Sequence, residues 1–214
     1  MAKKNLKMNC MSNIDTIIFD LGGVLVDWNP EYVYKNVFSD TDKMHWFLTN
    51  VCSPEWNIEQ DGGRTISAAE QLIIKEFPEF EKEILLFYKD WHLMFKGVIE
   101  ENLEIFHKLK ASGNYKIYGL TNWSAEKWDK ALELFPFLND FDGIVVSGQE
   151  KCRKPHSEIY NIILERFSIN PKTAIFIDDN FENIIAAKKL NLNSIHCTAN
   201  SNLNMLLKPY KLKF

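Results

Sequence analysis

Ile17-Ile18-Phe19-Asp20-Leu21-Gly22-Gly23-Val24-Leu25-Val26-Asp27 is the stretch on which the fold turns. Three consecutive large apolar residues read as a strand buried on both faces, the habit of a parallel sheet covered by helices. Asp20 follows at the carboxyl end of that strand, where open α/β sheets place their ligands. Gly22 and Gly23 let the backbone turn sharply and approach a bound group, and Val24-Leu25-Val26 then resumes an extended apolar pattern. Taken alone, the stretch is equally a strand, a glycine turn and a second strand with an incidental acid.

The downstream sequence breaks that tie. From residue 98, strand and helix patterns alternate, the signature of a doubly wound α/β sheet. The expected strands are Lys116–Leu120, Gly143–Val146, Ala174–Ile177 and Ser194–Cys197, which with the opening run make a parallel sheet of five. Helix faces lie between them: Leu103, Phe106 and Leu109; Trp128, Ala131, Leu132 and Phe135 behind Ser124 as N-cap; Ile159, Ile162, Ile163 and Phe167 after Pro155; Phe181, Ile184 and Ile185.

Residues 29–97 differ. Pro30 opens a helical pattern with Tyr32, Val33, Val37 and Phe38 on one face and Met44, Phe47 and Leu48 on the next. Ser67-Ala68-Ala69-Glu70 reads as a capping box ahead of Leu72, Ile73, Ile74 and Phe77, and Ile84, Phe87, Tyr88, Trp91 and Phe95 continue the helical spacing. No strand is expected here. A stretch of about 70 residues is far beyond an ordinary βα connection of about 2–6 residues, so it forms a helical unit of its own. Its most site-like loops hold Cys52–Asn57 and Asp61–Arg64, although such compositions also make plain connectors.

At 214 residues there is room for one substantial core and a smaller accessory unit. A net charge of −4 offers no basic surface for a polyphosphate backbone, which argues against nucleic acid and for a small partner. Cys10, Cys52, Cys152 and Cys197 are scattered without metal-ligand spacing and fit reduced thiols in a cytoplasmic protein. Lys3, Lys4 and Lys7 are followed by Asn9, Ser12 and Asn13 rather than an apolar run, so no signal peptide is read and residues 1–13 are expected to be a loose tail. No apolar run approaches the about 18 residues of a membrane helix. Composition leaves monomer and homodimer equally open.

Three further strand ends carry polar residues that share one sheet edge with Asp20. They are Thr121-Asn122 before a helix start, Lys154 in Lys151–Pro155, and Asp178-Asp179. Each has a dull explanation; their occurrence in this order does not. With FDLGGVLVD they resemble the four ordered motifs of the haloacid dehalogenase-like hydrolase superfamily, over about residues 14–198, and in particular its helical-cap phosphatases. The resemblance implies a Rossmann-like core over 14–28 and 98–214, with an all-helical cap over 29–97 closing on the active site.

It also implies chemistry. Asp20 attacks phosphorus and forms an aspartyl-phosphate that water hydrolyses. Thr121 and Lys154 are the other catalytic residues, and Thr121, Asn122, Lys154, Gly22 and Gly23 bind the phosphoryl group. Three carboxylates crowded at one edge raise one another's pKa unless a cation shares the site, and Mg²⁺ suits hard oxygen ligands. The implied ligands are Asp20, the Gly22 carbonyl and Asp179, with Asp178 behind them or as an alternative ligand. The implied substrate is a small phosphorylated metabolite, a sugar phosphate being one candidate.

The family pattern has a second Asp two positions after the nucleophile, where this chain has Gly22. That departure suits a 2-haloacid dehalogenase, because a halide leaves without a proton. Against it stand the acid pair Asp178-Asp179, Asn183 where those enzymes carry an Asp, and the need for an Arg near the nucleophile from among Arg64, Arg153 and Arg166. A third reading is a phosphometabolite-binding module without turnover. If the protein is a phosphatase, it is expected either to favour substrates whose leaving group is already acidic, such as anomeric sugar phosphates or acyl phosphates, or to borrow an acid from the cap, with Glu59 and Asp61 as candidates. Trp28, Trp56 and Trp123 are candidates for an apolar wall near the site, whereas His92 and His156 are given no role.

Overall fold

β1 (Thr16–Phe19) is buried along its whole length, as its unbroken apolar run requires of a strand with helices on both faces. The computed structural model describes residues 13–213, so the tail expected over 1–13, Asn13 apart, and the thiol of Cys10 lie outside the described residues. After the glycine turn come β2 (Val26–Trp28), α1 (Glu31–Tyr34), α2 (Thr41–Asn50), α3 (Pro54–Asp61), α4 (Ile66–Glu76) and α5 (Glu81–Lys89). A single helical turn over Trp91–Met94 leads into β3 (Phe95–Val98). The remainder alternates through α6 (Glu100–Ser112), β4 (Lys116–Thr121), α7 (Trp128–Leu134), β5 (Gly143–Val146), α8 (Ser147–Glu150), α9 (Ser157–Arg166), β6 (Ala174–Asp178), α10 (Phe181–Lys189), β7 (Asn193–His196) and α11 (Leu203–Leu207).

Five strands form one parallel sheet in the order β5-β4-β1-β6-β7. The chain runs outward from β1 through β4 to β5, then crosses to the other edge of β1 for β6 and β7. That reversal opens a crevice at the carboxyl end of β1. Register fixes what faces it: Phe19 lies opposite both Gly119 and Ile177, so Asp20, Thr121 and Asp178 emerge together.

Side chains alternate across the sheet with period two. Ile17, Phe19, Ile175 and Ile177 pack with Ile105, Phe106 and Leu109 of α6, while Ile18, Leu120 and Phe176 pack with Ile159 and Ile163 of α9 and Ile184 of α10. The first cluster runs on into the helical insert, where the Tyr34 ring meets those of Phe47 and Phe87, and Phe47 meets Phe80, at tilted angles. Asp40 caps α2 by accepting from the N–H groups of Asp42 and Lys43, and Ser53 caps α3 ahead of Pro54.

The insert departs from its sequence reading in three places. The helix expected through Phe38 stops at Tyr34. α4 starts at Ile66 with Thr65 as its cap, not at the Ser67 capping box; the freed N–H of Ile66 is taken by the Glu126 carboxylate at 2.7 Å, a partner 60 residues away. Phe95, grouped by spacing with the α5 face, belongs to β3, which pairs antiparallel with β2. Gly97, at φ +133°, interrupts any helix there, so the insert begins and ends on a two-stranded neck.

Phe106 is fully buried and meets Phe19 edge-on at 5.9 Å between ring centroids. Phe106→Ala is expected to lower the unfolding free energy by about 3–5 kcal/mol, read from the urea midpoint at unchanged slope.

Candidate active site

Lys154 is the centre of the sheet edge. Its ammonium lies 2.9 Å from Asp20 Oδ1 and 2.7 Å from Asp178 Oδ2, and the side chain is 1% exposed. Burial would lower its pKa, but Asp178 and Asp20 outweigh burial and raise it, so the lysine stays charged. Its placement comes from Asn122: Oδ1 accepts from the Lys154 N–H at 2.9 Å, and Nδ2 donates to the Lys154 carbonyl at 3.0 Å. The Asn122 amide is thereby engaged with the lysine backbone. Thr121, the last residue of β4, is buried beside it.

Asp178 is fully buried and has its oxygens occupied. Asn183 Nδ2 donates to both, the Asn180 N–H to Oδ1, and Lys154 to Oδ2. Asp20 accepts from the Leu21 N–H at 2.7 Å in addition to Lys154. Burial pushes the Asp20 pKa well up, Lys154 opposes it, and the charges of Asp178 and Asp179 push it further up. Asp179 is likewise raised by burial and then by Asp178.

Oxygens of Asp20, Asp178 and Asp179 lie within 4.8 Å of one another. One ammonium against three carboxylates leaves two negative charges unmatched, which is the charge of one divalent cation. The donors are all hard oxygens, the set that Mg²⁺ prefers. Gly23 belongs to the same arrangement: at φ +69° a Cβ would run into the Asp179 carboxyl, so only glycine lets that acid rest on the loop. A Cβ at Gly22, by contrast, would meet nothing within 4 Å.

A cavity of about 160 Å³ lies between this edge and the insert. It meets the site through Gly22 and Asn122, and its walls are Trp28, Tyr88, Trp91, Phe95 and Trp123, with Asn57, Asp61 and Ser124 as the remaining polar lining. The indole N–H groups of Trp28 and Trp123 are buried with no hydrogen-bond partner. Trp56, the third tryptophan singled out from the sequence, packs inside the insert, its indole N–H donating to the Ala69 carbonyl at 3.4 Å. His92 and His156 are exposed and line no part of the cavity.

The sequence reading gave Ser147 no role, marked Asn183 only as a departure from the dehalogenase pattern, and took Tyr88, Trp91 and Phe95 for a helix face rather than a cavity wall. Ser147 is fully buried; its hydroxyl accepts from the Trp123 N–H at 2.9 Å and donates to the Asp61 carbonyl, fixing α3 to the core. The two candidate acids of the insert part company. Glu59 turns outward to Arg153 at 3.0 Å, whereas Asp61 lines the cavity. All three arginines are committed elsewhere: Arg64 to Gln60 and the Trp56 carbonyl, Arg153 to Glu59, and Arg166 to both oxygens of Glu150. None lines the cavity.

The carboxyl end of the parallel sheet thus gathers Asp20 at the switch point, the buried Lys154 and the acid pair Asp178-Asp179. The sequence model of the haloacid dehalogenase-like hydrolase family matches residues 17–197, and the chain belongs to that family. It is 27% identical over 184 residues to a sesquiterpene phosphatase of Aspergillus oryzae, covering 85% of this chain and 88% of that protein. A phosphorylated carbohydrates phosphatase of Thermotoga maritima is 26% identical over 198 residues, with 88% and 87% coverage. A HAD family enzyme of Bacteroides thetaiotaomicron, solved as a magnesium complex, superposes with a TM-score of 0.72 at 23% identity, over 92% of this chain and 99% of that one. The protein is therefore a hydrolase of this family, with phosphatases among its relatives. Among the described residues no helix is long and apolar enough to cross a membrane.

Removing Lys154 leaves two buried carboxylates facing each other. Lys154→Ala is expected to cost about 3–5 kcal/mol of stability in metal-free buffer, measured by urea unfolding.

Proposed function

We propose that this chain is a Mg²⁺-dependent phosphoric monoester hydrolase that works through an aspartyl-phosphate on Asp20. The carrying observation is the Asp20–Lys154–Asp178 arrangement with Asp179 beside it, two negative charges in excess of its lysine. Bound by Asp20, the Gly22 carbonyl and Asp179, Mg²⁺ supplies the positive charge that makes the site receptive to a phosphoryl dianion. Asp178, saturated by Asn183, Asn180 and Lys154, acts behind them by holding the lysine.

Asp20 attacks phosphorus in line with the departing oxygen, and water later attacks the phosphorus of the aspartyl-phosphate. The Thr121 hydroxyl and the Lys154 ammonium hold phosphoryl oxygens as their charge develops. Asn122 acts on the phosphoryl group mainly by fixing Lys154, and the Gly22-Gly23 backbone approaches it without side chains. The insert over 29–97 closes the site from above as a cap on a 14–28 and 98–214 core.

The substrate is a small phosphorylated metabolite of the cytoplasm. The cavity is below the about 300–1,000 Å³ usual for drug-sized ligands, and its walls are mostly aromatic. That combination supports a compact leaving group with an apolar face, as a sugar has. Phosphatase names on the two relatives described above support the ester, and the committed arginines weigh against a haloacid.

A screen of phosphorylated metabolites tests this. Phosphate release is expected to need Mg²⁺ and to vanish in Asp20→Asn; full activity in excess chelator would contradict the metal assignment, and binding without product release would favour the non-catalytic module. In Mg²⁺ titrations, Asp179→Asn is expected to weaken affinity more than Asp178→Asn, because the latter's oxygens are already taken by protein donors.

A further inference from the structure

Position 22 of this chain has no side chain, and there is room for one to begin there: a Cβ would meet no atom within 4 Å apart from its chain neighbours. Gly22 borders the aromatic cavity, so the open volume and the cavity are continuous. Of the residues lining that cavity, Asp61 is the one acid. It ends α3, and its backbone carbonyl is anchored by the buried Ser147 hydroxyl, so its position is fixed relative to the core. Ser124 lines the same cavity. We propose that Asp61 is the acid–base residue of the reaction, protonating the departing oxygen from the insert side of the cavity in place of the acid missing at Gly22. The assignment rests on the phosphatase reading above.

Burial raises the Asp61 pKa to about 7, against the lowering influence of Arg153, the Ser124 N–H and Lys154, so a proton is held near neutral pH. Tyr88 faces it from α5 as a neutral phenol, its own pKa raised by burial and then by Asp61. A carboxyl poised in this way suits general acid–base catalysis. In the first step an Asp20 oxygen bonds to phosphorus, the ester P–O bond breaks, and its electron pair takes the proton from Asp61. In the second step the Asp61 carboxylate takes a proton from water as that oxygen bonds to phosphorus, and the Asp20–phosphorus bond breaks. Alcohol and inorganic phosphate result, with Asp20 and Asp61 restored. Glu59 has no part in this, being held by Arg153 at the surface.

The test is a series of aryl and alkyl phosphates with rising leaving-group pKa, with phosphoenzyme formation followed in single turnovers. In the unmodified protein the rate is expected to depend only weakly on leaving group; a steep fall towards alkyl esters would overturn the assignment without any variant. In Asp61→Asn, phosphoenzyme formation from alkyl phosphates is expected to fall about 10²–10⁴-fold. The initial burst of p-nitrophenolate should survive in that variant, since this leaving group needs no proton, while its steady turnover slows for want of the base. Loss of the burst along with everything else would mark Asp61 as structural and overturn the proposal. Gly22→Asp in the Asp61→Asn background should restore part of the alkyl rate, as the open volume accepts the side chain. No phosphate release from any ester by the unmodified protein would overturn the phosphatase reading and this assignment with it.

Discussion

A buried ammonium shared by two carboxylates is the constraint on which this structure depends. Lys154 and Asp178 are both sealed from water, and neither charge is tolerable without the other. To bring them together the fold needs β1 and β6 side by side, so that Asp20 and Asp178 leave the sheet at one level, and it needs the loop between α8 and α9 to deliver a lysine from outside. Asn122 on β4's end and Asn183 on α10 then lock the two partners in place. Four of the core's loops are thus committed to a single electrostatic arrangement.

The helical insert is tied to those same loops. Arg153 and Lys154 are consecutive, yet one reaches Glu59 on α3 and the other reaches the sheet edge. Ser147 bonds the loop after β4 on one side and the end of α3 on the other, and Glu126 caps the start of α4. A change in the insert's position therefore shifts the walls of the cavity together with Asp61. The arrangement that follows is spatial: the sheet edge carries the charged groups, and the insert faces them across the cavity with aromatic surface and one acid.

How much of this could be read from the chain depended on the range of each signal. Buried parallel strands announce themselves by continuous apolar runs, and the register of a parallel sheet brings their ends together, so Asp20, Thr121, Lys154 and Asp178-Asp179 were legible as one edge. Phe95 was not legible as a strand residue because its pairing with Trp28 is 67 positions away and its spacing imitates a helix face. Thr65 displaced Ser67 as a cap for the same reason, since the decisive partner is Glu126. Glu59 and Asp61 sit two residues apart in one helix, and only the packing of α3 on the core decides that one faces Arg153 and the other the cavity. The two unmatched indoles could be noticed only with their surroundings in view.

The central claim is that Asp20 carries a phosphoryl group and that water attacks phosphorus. Turnover in oxygen-18 water, followed by mass analysis of the released phosphate and of the peptide bearing Asp20, tests it directly. The account predicts oxygen-18 in the phosphate and none in the Asp20 carboxyl. Oxygen-18 in Asp20 would mean that water attacks the carboxyl carbon of an ester intermediate, as in removal of a halide, and would contradict it.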